Sequence, residues 1–242
     1  MRNARSAILT YHSIDDSGSV ISISAAEFAR HMESLATSGI SVVPLQEVQK
    51  RPGCVALTFD DGYESFRTIA APLLERYGFP ATVFIVSGFC GANNQWPGQG
   101  AGIPALRLMD WDEVREISHR GFEIGAHTVR HPNLCDLAPD EAAREMLECK
   151  ESIEAQLHRS VTQFAYPYGK IPPGVRPPFE IACGTRLSYL QVEDDPLRLP
   201  RIDAYYLRTG PEAGSIFSTS ARLYFGARGI LRNLRQWHSP SS

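Results

Sequence analysis

Two adjacent carboxylates, Asp60 and Asp61, end a short apolar run and are the residues of this chain best suited to chemistry. Two histidines four positions apart, His127 and His131, could complete a site with them. If the histidine segment forms a helical turn, both imidazoles face the same side and converge on one metal ion, with a carboxylate as third ligand. Such a ligand set leaves positions open for water, which is typical of a catalytic metal.

An adjacent pair of carboxylates also permits a division of labour. A carboxylate that ligates a metal ion stays ionised, whereas its neighbour can take a proton from water at the site. Each signal is weak by itself, because paired histidines are common on protein surfaces and Asp-Asp-Gly is common in turns. Together they indicate a metal-dependent hydrolase.

The surrounding chain alternates between strand and helix patterns. Apolar runs predict strands at residues 7–11, 54–59, 81–86, 122–126 and 161–165. Helical spacing predicts helices around residues 28–35, 66–77, 112–119 and 140–157, the second of them kinked or split by Pro72 and ended by Gly78. This alternation predicts one α/β domain over residues 1–242, with a mostly parallel sheet that is either open or closed into a barrel.

The candidate residues lie where these strands end. Asp60 and Asp61 follow the second predicted strand, His127 follows the fourth and Tyr168 follows the fifth. Because parallel strands gather their carboxyl ends at one edge of a sheet, residues that are distant in sequence can meet there.

Two stretches depart from the pattern. Residues 87–105 form a long Gly-, Asn- and Pro-rich connection around Trp96, which either stacks on a sugar or belongs to a mobile surface loop. From about residue 220, apolar residues such as Leu223 and Ile230 mix with arginines. A basic amphipathic helix of this kind can lie on an anionic membrane, but the favoured interpretation is a terminal helix docked on the barrel with its arginines in water.

Composition narrows the class of protein. The chain has 242 residues and a formal net charge of −3, which disfavours the basic surface that nucleic-acid binding needs. No apolar run is long enough to cross a membrane, and residues 7–9 are too short for a signal-peptide core. Five scattered cysteines without Cys-x-x-Cys spacing argue against a disulfide framework and a structural zinc site. We therefore expect reduced thiols and a location in the cytoplasm or at the cytoplasmic surface of a membrane.

The sequence around the candidate residues resembles the polysaccharide deacetylase family, the NodB-homology group or carbohydrate esterase family 4. Thr58 to Gly62 matches its motif TFDDG, and His127 to His131 matches its motif H(S/T)xxH. The resemblance implies a distorted (β/α) barrel similar to a TIM barrel, with Asp60 as general base and with Asp61, His127 and His131 as ligands of one divalent metal ion. Zinc is the default for two histidines and a carboxylate, and nickel, cobalt or iron fit the same ligands.

The third family motif, RxPY, is only partly present in Ala165-Tyr166-Pro167-Tyr168, where alanine replaces arginine. By resemblance the Tyr168 N–H helps to hold the oxyanion. The arginine that steadies the catalytic aspartate is missing from this place, and so is the family's C-terminal Leu-x-His, which supplies the acid. Other segments resemble the subgroup that deacetylates poly-N-acetylglucosamine and related exopolysaccharides, in which the motif order is partly permuted. We therefore hypothesise that His12 is the general acid and that Arg201 replaces the missing arginine beside Asp60.

The resemblance implies hydrolysis of the N-acetyl group of an amino sugar in a polysaccharide or glycan intermediate, with release of acetate. Aromatic residues near the motifs are expected to contact this carbohydrate, namely Tyr63, Trp96, Trp111 and Tyr166. Two alternatives stay open. A non-haem iron oxygenase uses the same ligand set, and the absent arginine and histidine also fit a non-catalytic carbohydrate-binding relic of the family.

Overall fold

A computed structural model describes residues 5–238, with side chains through residue 232. Its strands are β1 Ala7–Tyr11, β2 Ser13–Ile14, β3 Ser22–Ile23, β4 Val55–Phe59, β5 Thr82–Ile85, β6 Glu123–Ala126, β7 Gln163–Ala165, β8 Ile181–Cys183 and β9 Ile202–Asp203. Its α-helices are α1 Ala25–Ser38, α2 Ala71–Tyr77, α3 Trp111–His119, α4 Pro139–Leu157 and α5 Thr219–His238. The predicted strands and helices therefore form, with ends shifted by a few residues.

Seven strands form one parallel sheet in the spatial order β8-β7-β6-β5-β4-β1-β9, and β2 pairs with β3 separately. The two edges of the large sheet are linked by the segment at residues 199–203. Leu199 pairs with Cys183 at the end of β8, and the same segment continues into β9, which pairs with β1. The sheet therefore curls into a distorted (β/α) barrel, and this prediction is confirmed.

Alternation along the strands decides which side chains enter the barrel. Ile8 of β1 and Ala56 of β4 are register partners and pack with Phe84 of β5 in a small interior core. The narrow interior requires Gly125 on β6, because a Cβ there would lie 2.4 Å from a ring carbon of Phe84. Since side chains repeat every second residue, Asp60 lies on the same side of its strand as Ala56, nearer the barrel mouth.

Burial on both faces explains why the strands read as continuous apolar runs. Every residue of β1 and β4 is buried. This pattern is typical of parallel sheets, in which helices cover the outer face. On that outer face Leu9 and Leu57 pack in the main core with Phe28 and Met32 of α1.

The helix predicted around residues 66–77 is split, as Pro72 indicated. Phe66–Ala70 forms a π-helical turn, and α2 then carries Pro72 in its first turn, where the missing N–H costs no hydrogen bond. Gly78 ends α2 in the left-handed region at φ 66°.

Helix α5 contains the predicted basic amphipathic segment. Ala221 and Phe225 are buried against the body of the protein, whereas Leu223, Ile230 and Leu231 are 70%, 64% and 52% exposed. Over residues 5–238, none of the helices combines the length and the apolar character needed to cross a membrane. The side chains of Leu234 and Trp237, which also belong to the sequence pattern, lie outside the described part.

Candidate metal centre and active site

The predicted metal ligands meet at the carboxyl mouth of the barrel. Asp61 Oδ1 lies 3.4 Å from Nε2 of His127 and 3.4 Å from Nε2 of His131. All three residues are buried, and one ligand atom from each lies within 4.8 Å of the others. The structure thus brings together the three residues that the sequence assigned to a metal.

The hydrogen bonds of this cluster fit a divalent cation. His127 Nδ1 donates to the carbonyl oxygen of Ala165 over 2.7 Å, which leaves the lone pair of Nε2 directed toward Asp61. Among the described residues, the buried Asp61 Oδ1 has no hydrogen-bond donor. Facing lone pairs in a buried place repel one another unless a cation lies between them, so the donor set suits a metal such as zinc.

Burial and neighbouring groups set the ionisation of two ligands in the direction that metal binding needs. Burial lowers the pKa of His131 to about 3, so its imidazole is neutral at physiological pH. Burial by itself would raise the pKa of Asp61, but the adjacent imidazoles of His127 and His131 hold that pKa far below its usual range. An ionised Asp61 and a neutral His131 are both competent ligands.

The two histidines converge without the helical turn that the sequence analysis assumed. Thr128 and His131 have left-handed φ values of 69° and 58°. The Thr128 hydroxyl accepts a hydrogen bond from the His131 N–H over 3.0 Å and so closes the turn between them. The helical expectation is wrong here because side-chain hydrogen bonds favour a tight loop over a helix.

Glu145, a residue that the sequence analysis did not single out, holds this loop from α4. Its carboxylate is 4% exposed and accepts hydrogen bonds from the N–H groups of Val129 and Arg130, over 2.9 and 3.0 Å. The available signal was a charged residue among the inward positions of α4, between Ala142 and Cys149. Glu145 is a positioning residue, since it acts on the ligand loop and not on the reacting atoms.

The backbone turns at the adjacent carboxylates and directs their side chains to different places. Asp61 has φ 71° and Gly62 has φ 80°, so the chain turns sharply at the end of β4. Two features favour glycine at position 62. Its backbone lies in the left-handed region, and a Cβ would come within 2.9 Å of the Ile85 side chain. The turn directs Asp61 to the histidines and leaves Asp60 on the interior side of its strand.

Asp60 forms a bidentate ion pair with Arg201. The two guanidinium Nη atoms lie 2.6 and 2.7 Å from the two carboxylate oxygens, and Nε donates to the Gly184 carbonyl over 2.9 Å. Burial would raise the pKa of Asp60, but Arg201, followed by His127 and His12, holds that pKa below its usual value. Arg201 therefore lies where the hypothesis requires, beside Asp60, while Ala165 occupies the place of the family arginine.

His12 and Tyr168 line the same mouth. His12 Nε2 lies 3.8 Å from Asp60 Oδ2, and the side chain is 21% exposed. Tyr168 has φ 56° and is 42% exposed, and its ring meets the ring of His131 edge-on at 4.7 Å. Both residues are close enough to touch a substrate at the metal ligands, and their roles as acid and oxyanion donor stay predictions.

The aromatic residues expected to contact a sugar are mostly enclosed by protein. Tyr63 and Tyr166 are 1% exposed and Trp96 is 3% exposed, with its ring 4.2 Å from that of His131. Trp111 is partly buried against the main core. Trp96, on the connection at residues 87–105, therefore packs against His131, one of the proposed metal ligands. A direct contact of these four aromatic residues with substrate stays a prediction.

Fold and site define a class of protein, the (β/α)-barrel hydrolases, and comparison with known families specifies it. Residues 47–178 match the family model described as polysaccharide deacetylase. The matched part is more than half of the chain, so the chain belongs to the polysaccharide deacetylase family, a family of hydrolases. His12 and Arg201 lie outside the matched residues.

Curated relatives agree with this assignment. YxkH of Bacillus subtilis is 30% identical over 175 residues, which are 69% of this chain and 58% of that protein. The poly-β-1,6-N-acetyl-D-glucosamine N-deacetylase of Staphylococcus aureus strain MRSA252 is 26% identical over 164 residues, which are 61% of this chain and 54% of that protein. The chain therefore spans little more than half the length of these relatives.

Solved structures share the fold. IcaB from Ammonifex degensii superposes with a TM-score of 0.73 at 23% identity, covering 90% of this chain and 97% of that one. The deacetylase PplD of Streptococcus pyogenes, solved in complex with acetate, superposes with a TM-score of 0.71 at 22% identity, covering 83% and 92%.

Removal of divalent metal is expected to lower the thermal stability of the protein. An ion present at 100 to 1000 times its Kd stabilises the native state by about 3 to 4 kcal/mol. For a chain of this size, that corresponds to a fall in Tm of roughly 5 to 15 °C on chelation, restored by zinc. The measurement is thermal unfolding with and without a chelator. His131→Ala should abolish the shift and His119→Ala, an exposed control, should keep it; a Tm insensitive to chelation would contradict the metal centre.

Proposed function

We propose that this chain is a metal-dependent deacetylase that hydrolyses the N-acetyl group of an amino sugar in a polysaccharide or glycan intermediate and releases acetate. The observation that carries the proposal is the buried Asp60, ionised by Arg201, directly beside the cluster of Asp61, His127 and His131. Base and metal ligands are adjacent but differently directed, as hydrolysis of an amide requires. The name of the Staphylococcus aureus relative supports an N-acetylated amino sugar as the substrate class.

The proposed mechanism assigns a separate task to each residue. Asp61, His127 and His131 would hold a divalent ion, which would supply a Lewis acid for the acetyl carbonyl and lower the pKa of water. Asp60 takes the proton from the attacking water. The Tyr168 N–H donates to the developing oxyanion, and His12 protonates the sugar nitrogen so that the amine can leave.

Zinc is the proposed metal, because two imidazoles and one carboxylate are a common zinc set. Nickel, cobalt and iron remain alternatives with the same ligands. A second functional class, the non-haem iron oxygenase, is disfavoured by membership of the deacetylase family. A non-catalytic relic is disfavoured because Arg201 provides Asp60 with the guanidinium that Ala165 cannot supply.

We also propose peripheral contact between α5 and an anionic membrane surface. Helix α5 contains four arginines and no acidic residue, and Leu223 and Ile230 expose apolar surface on its outer side. This combination is typical of helices that lie in the plane of a membrane. The compartment, expected from the sequence to be the cytoplasm or the cytoplasmic face of a membrane, stays a prediction.

Asp60→Asn is expected to reduce acetate release by roughly 100- to 10,000-fold, the usual contribution of a general base. Because Asp60 is not a proposed ligand, the variant should keep its metal. The measurement is acetate release from a panel of N-acetylated and O-acetylated glycans with zinc-loaded protein, together with zinc content and Tm. Asp112→Asn, at an exposed aspartate, is the matched control. Release that survives Asp60→Asn would show that the base is another group.

His12→Ala is expected to lose more activity on a substrate whose leaving group must be protonated than on one whose leaving group departs as an anion. The loss should reach roughly 100- to 10,000-fold with an N-acetyl sugar but be much smaller with an aryl acetate, because a phenolate leaves without protonation. The measurement is kcat on both substrates for wild type, His12→Ala and the exposed control His119→Ala. Equal losses on the two substrates, or near-normal turnover of the amide, would contradict the acid role.

Arg201→Met is expected to shift the acidic limb of the pH–activity profile to higher pH. Arg201 holds the pKa of Asp60 down against burial, so its removal raises that pKa. The base must be ionised to act. As the pH falls, the variant will therefore lose activity at a higher pH than the wild type does. The measurement is kcat/KM against pH, with circular dichroism to confirm folding.

Arg201→Lys keeps the positive charge and should shift the limb less. Arg198→Met removes an exposed guanidinium from the same segment and should not shift it. An unchanged acidic limb in folded Arg201→Met would disprove the assigned role of Arg201.

A further inference from the structure

An open groove of about 360 Å³ lies beside the candidate active site and has no role in the mechanism above. Its lining comes from three parts of the chain and includes the apolar Val20, the aromatic Tyr205, Tyr206 and Tyr224, and the basic Arg208 and Arg228. Because these residues come from the loop after β2, the segment after β9 and α5, only the folded chain assembles the groove.

The groove adjoins the side of the site at which His12 lies. Val20 and Tyr205 line both the groove and a small cavity that contains His12. His12 in turn lies 3.8 Å from Asp60. If His12 is the acid, the sugar nitrogen would lie beside it, and a glycan that extends from the reacting sugar on this side would enter the groove.

The rings of the groove suit a sugar. Tyr205 is 42% exposed and meets Tyr206 edge-on at 5.7 Å, and Val20 is 59% exposed. The Tyr224 hydroxyl donates to the Tyr206 carbonyl over 3.3 Å, which connects α5 to the groove floor. Exposed amphipathic rings offer an apolar face and a hydroxyl together, as a sugar ring also does.

The charge of the groove is positive and only partly compensated. The Arg208 guanidinium lies over the Tyr205 ring and is 3.7 Å from Glu27. The Arg228 guanidinium lies over the Tyr224 ring at 5.3 Å and makes no ion pair with any side chain in the described part. Guanidinium groups bind carboxylate and phosphate oxygens through paired hydrogen bonds.

From this juxtaposition we infer that the groove is a specificity subsite for an acidic sugar unit, one that carries a carboxylate or a phosphate, next to the amino sugar that is deacetylated. The placement of the acetylated sugar rests on the proposed function. The preference for an anion rests on the groove itself, so the two can fail separately.

The test compares binding of three probes by isothermal titration calorimetry. The probes are a neutral N-acetylglucosamine tetramer, a hyaluronan tetrasaccharide with carboxylates, and the neutral tetramer with a terminal phosphate. The zinc-loaded full chain carries Asp60→Asn so that no probe is consumed. At least one acidic probe should bind about tenfold or more tightly than the neutral tetramer, and the preference should weaken at high salt.

Arg228→Gln should reduce this preference to about one, while Arg222→Gln, at an arginine of α5 that does not line the groove, should retain it. Tyr205→Ala should weaken all three probes, since it removes a ring and not a charge. Equal affinity for neutral and acidic probes, or a preference that survives Arg228→Gln, would overturn the inference. An acidic preference lost with Arg228 in a protein that releases no acetate would uphold the subsite and contradict only the proposed function.

Discussion

The ion pair between Asp60 and Arg201 is the interaction on which the site depends. Removing two charges from water costs several kcal/mol for each ion, and the cost is offset only when the geometry is good and each charged nitrogen has a hydrogen-bond partner. Arg201 meets this condition, because its guanidinium binds Asp60 through two nitrogens and the Gly184 carbonyl through the third. Arg201 lies on the segment that links the two edges of the sheet. Barrel closure and ionisation of Asp60, the proposed base, are thus one structural constraint.

A second constraint is the backbone strain at the mouth of the barrel. Asp61, Thr128, His131 and Tyr168 all have positive φ, a conformation that costs about 1 to 3 kcal/mol for a residue with a side chain. The surrounding structure has to maintain each of them. At the histidine loop, the buried carboxylate of Glu145 does so through two backbone N–H groups. The protein therefore holds the proposed ligands in place by itself, which would lower the cost of assembling a metal site.

The sequence predicts local features of this protein better than its long-range contacts. The strand before Asp60, the split at Pro72 and the stop at Gly78 follow from neighbouring residues, and all are present. The loop between His127 and His131 was not predictable, because its shape depends on Glu145, which lies on a helix later in the chain. Trp96 shows the same limit. Its connection reads as a surface loop, yet the ring is buried against His131.

The order of strands explains how Asp60 can have a guanidinium and an imidazole beside it although these groups come from other positions in the sequence than the family motifs. Strand β1 lies between β4 and β9 in the sheet, so residues that flank β1 and β9 can reach Asp60 from the same side. His12 follows β1 and Arg201 precedes β9, and each approaches Asp60 although one lies near each end of the chain. A guanidinium at position 165 would approach Asp60 from the opposite wall of the barrel. Asp60 responds to the charge and geometry of the guanidinium and not to the strand that carries it, so an alanine at position 165 is compatible with an ionised base.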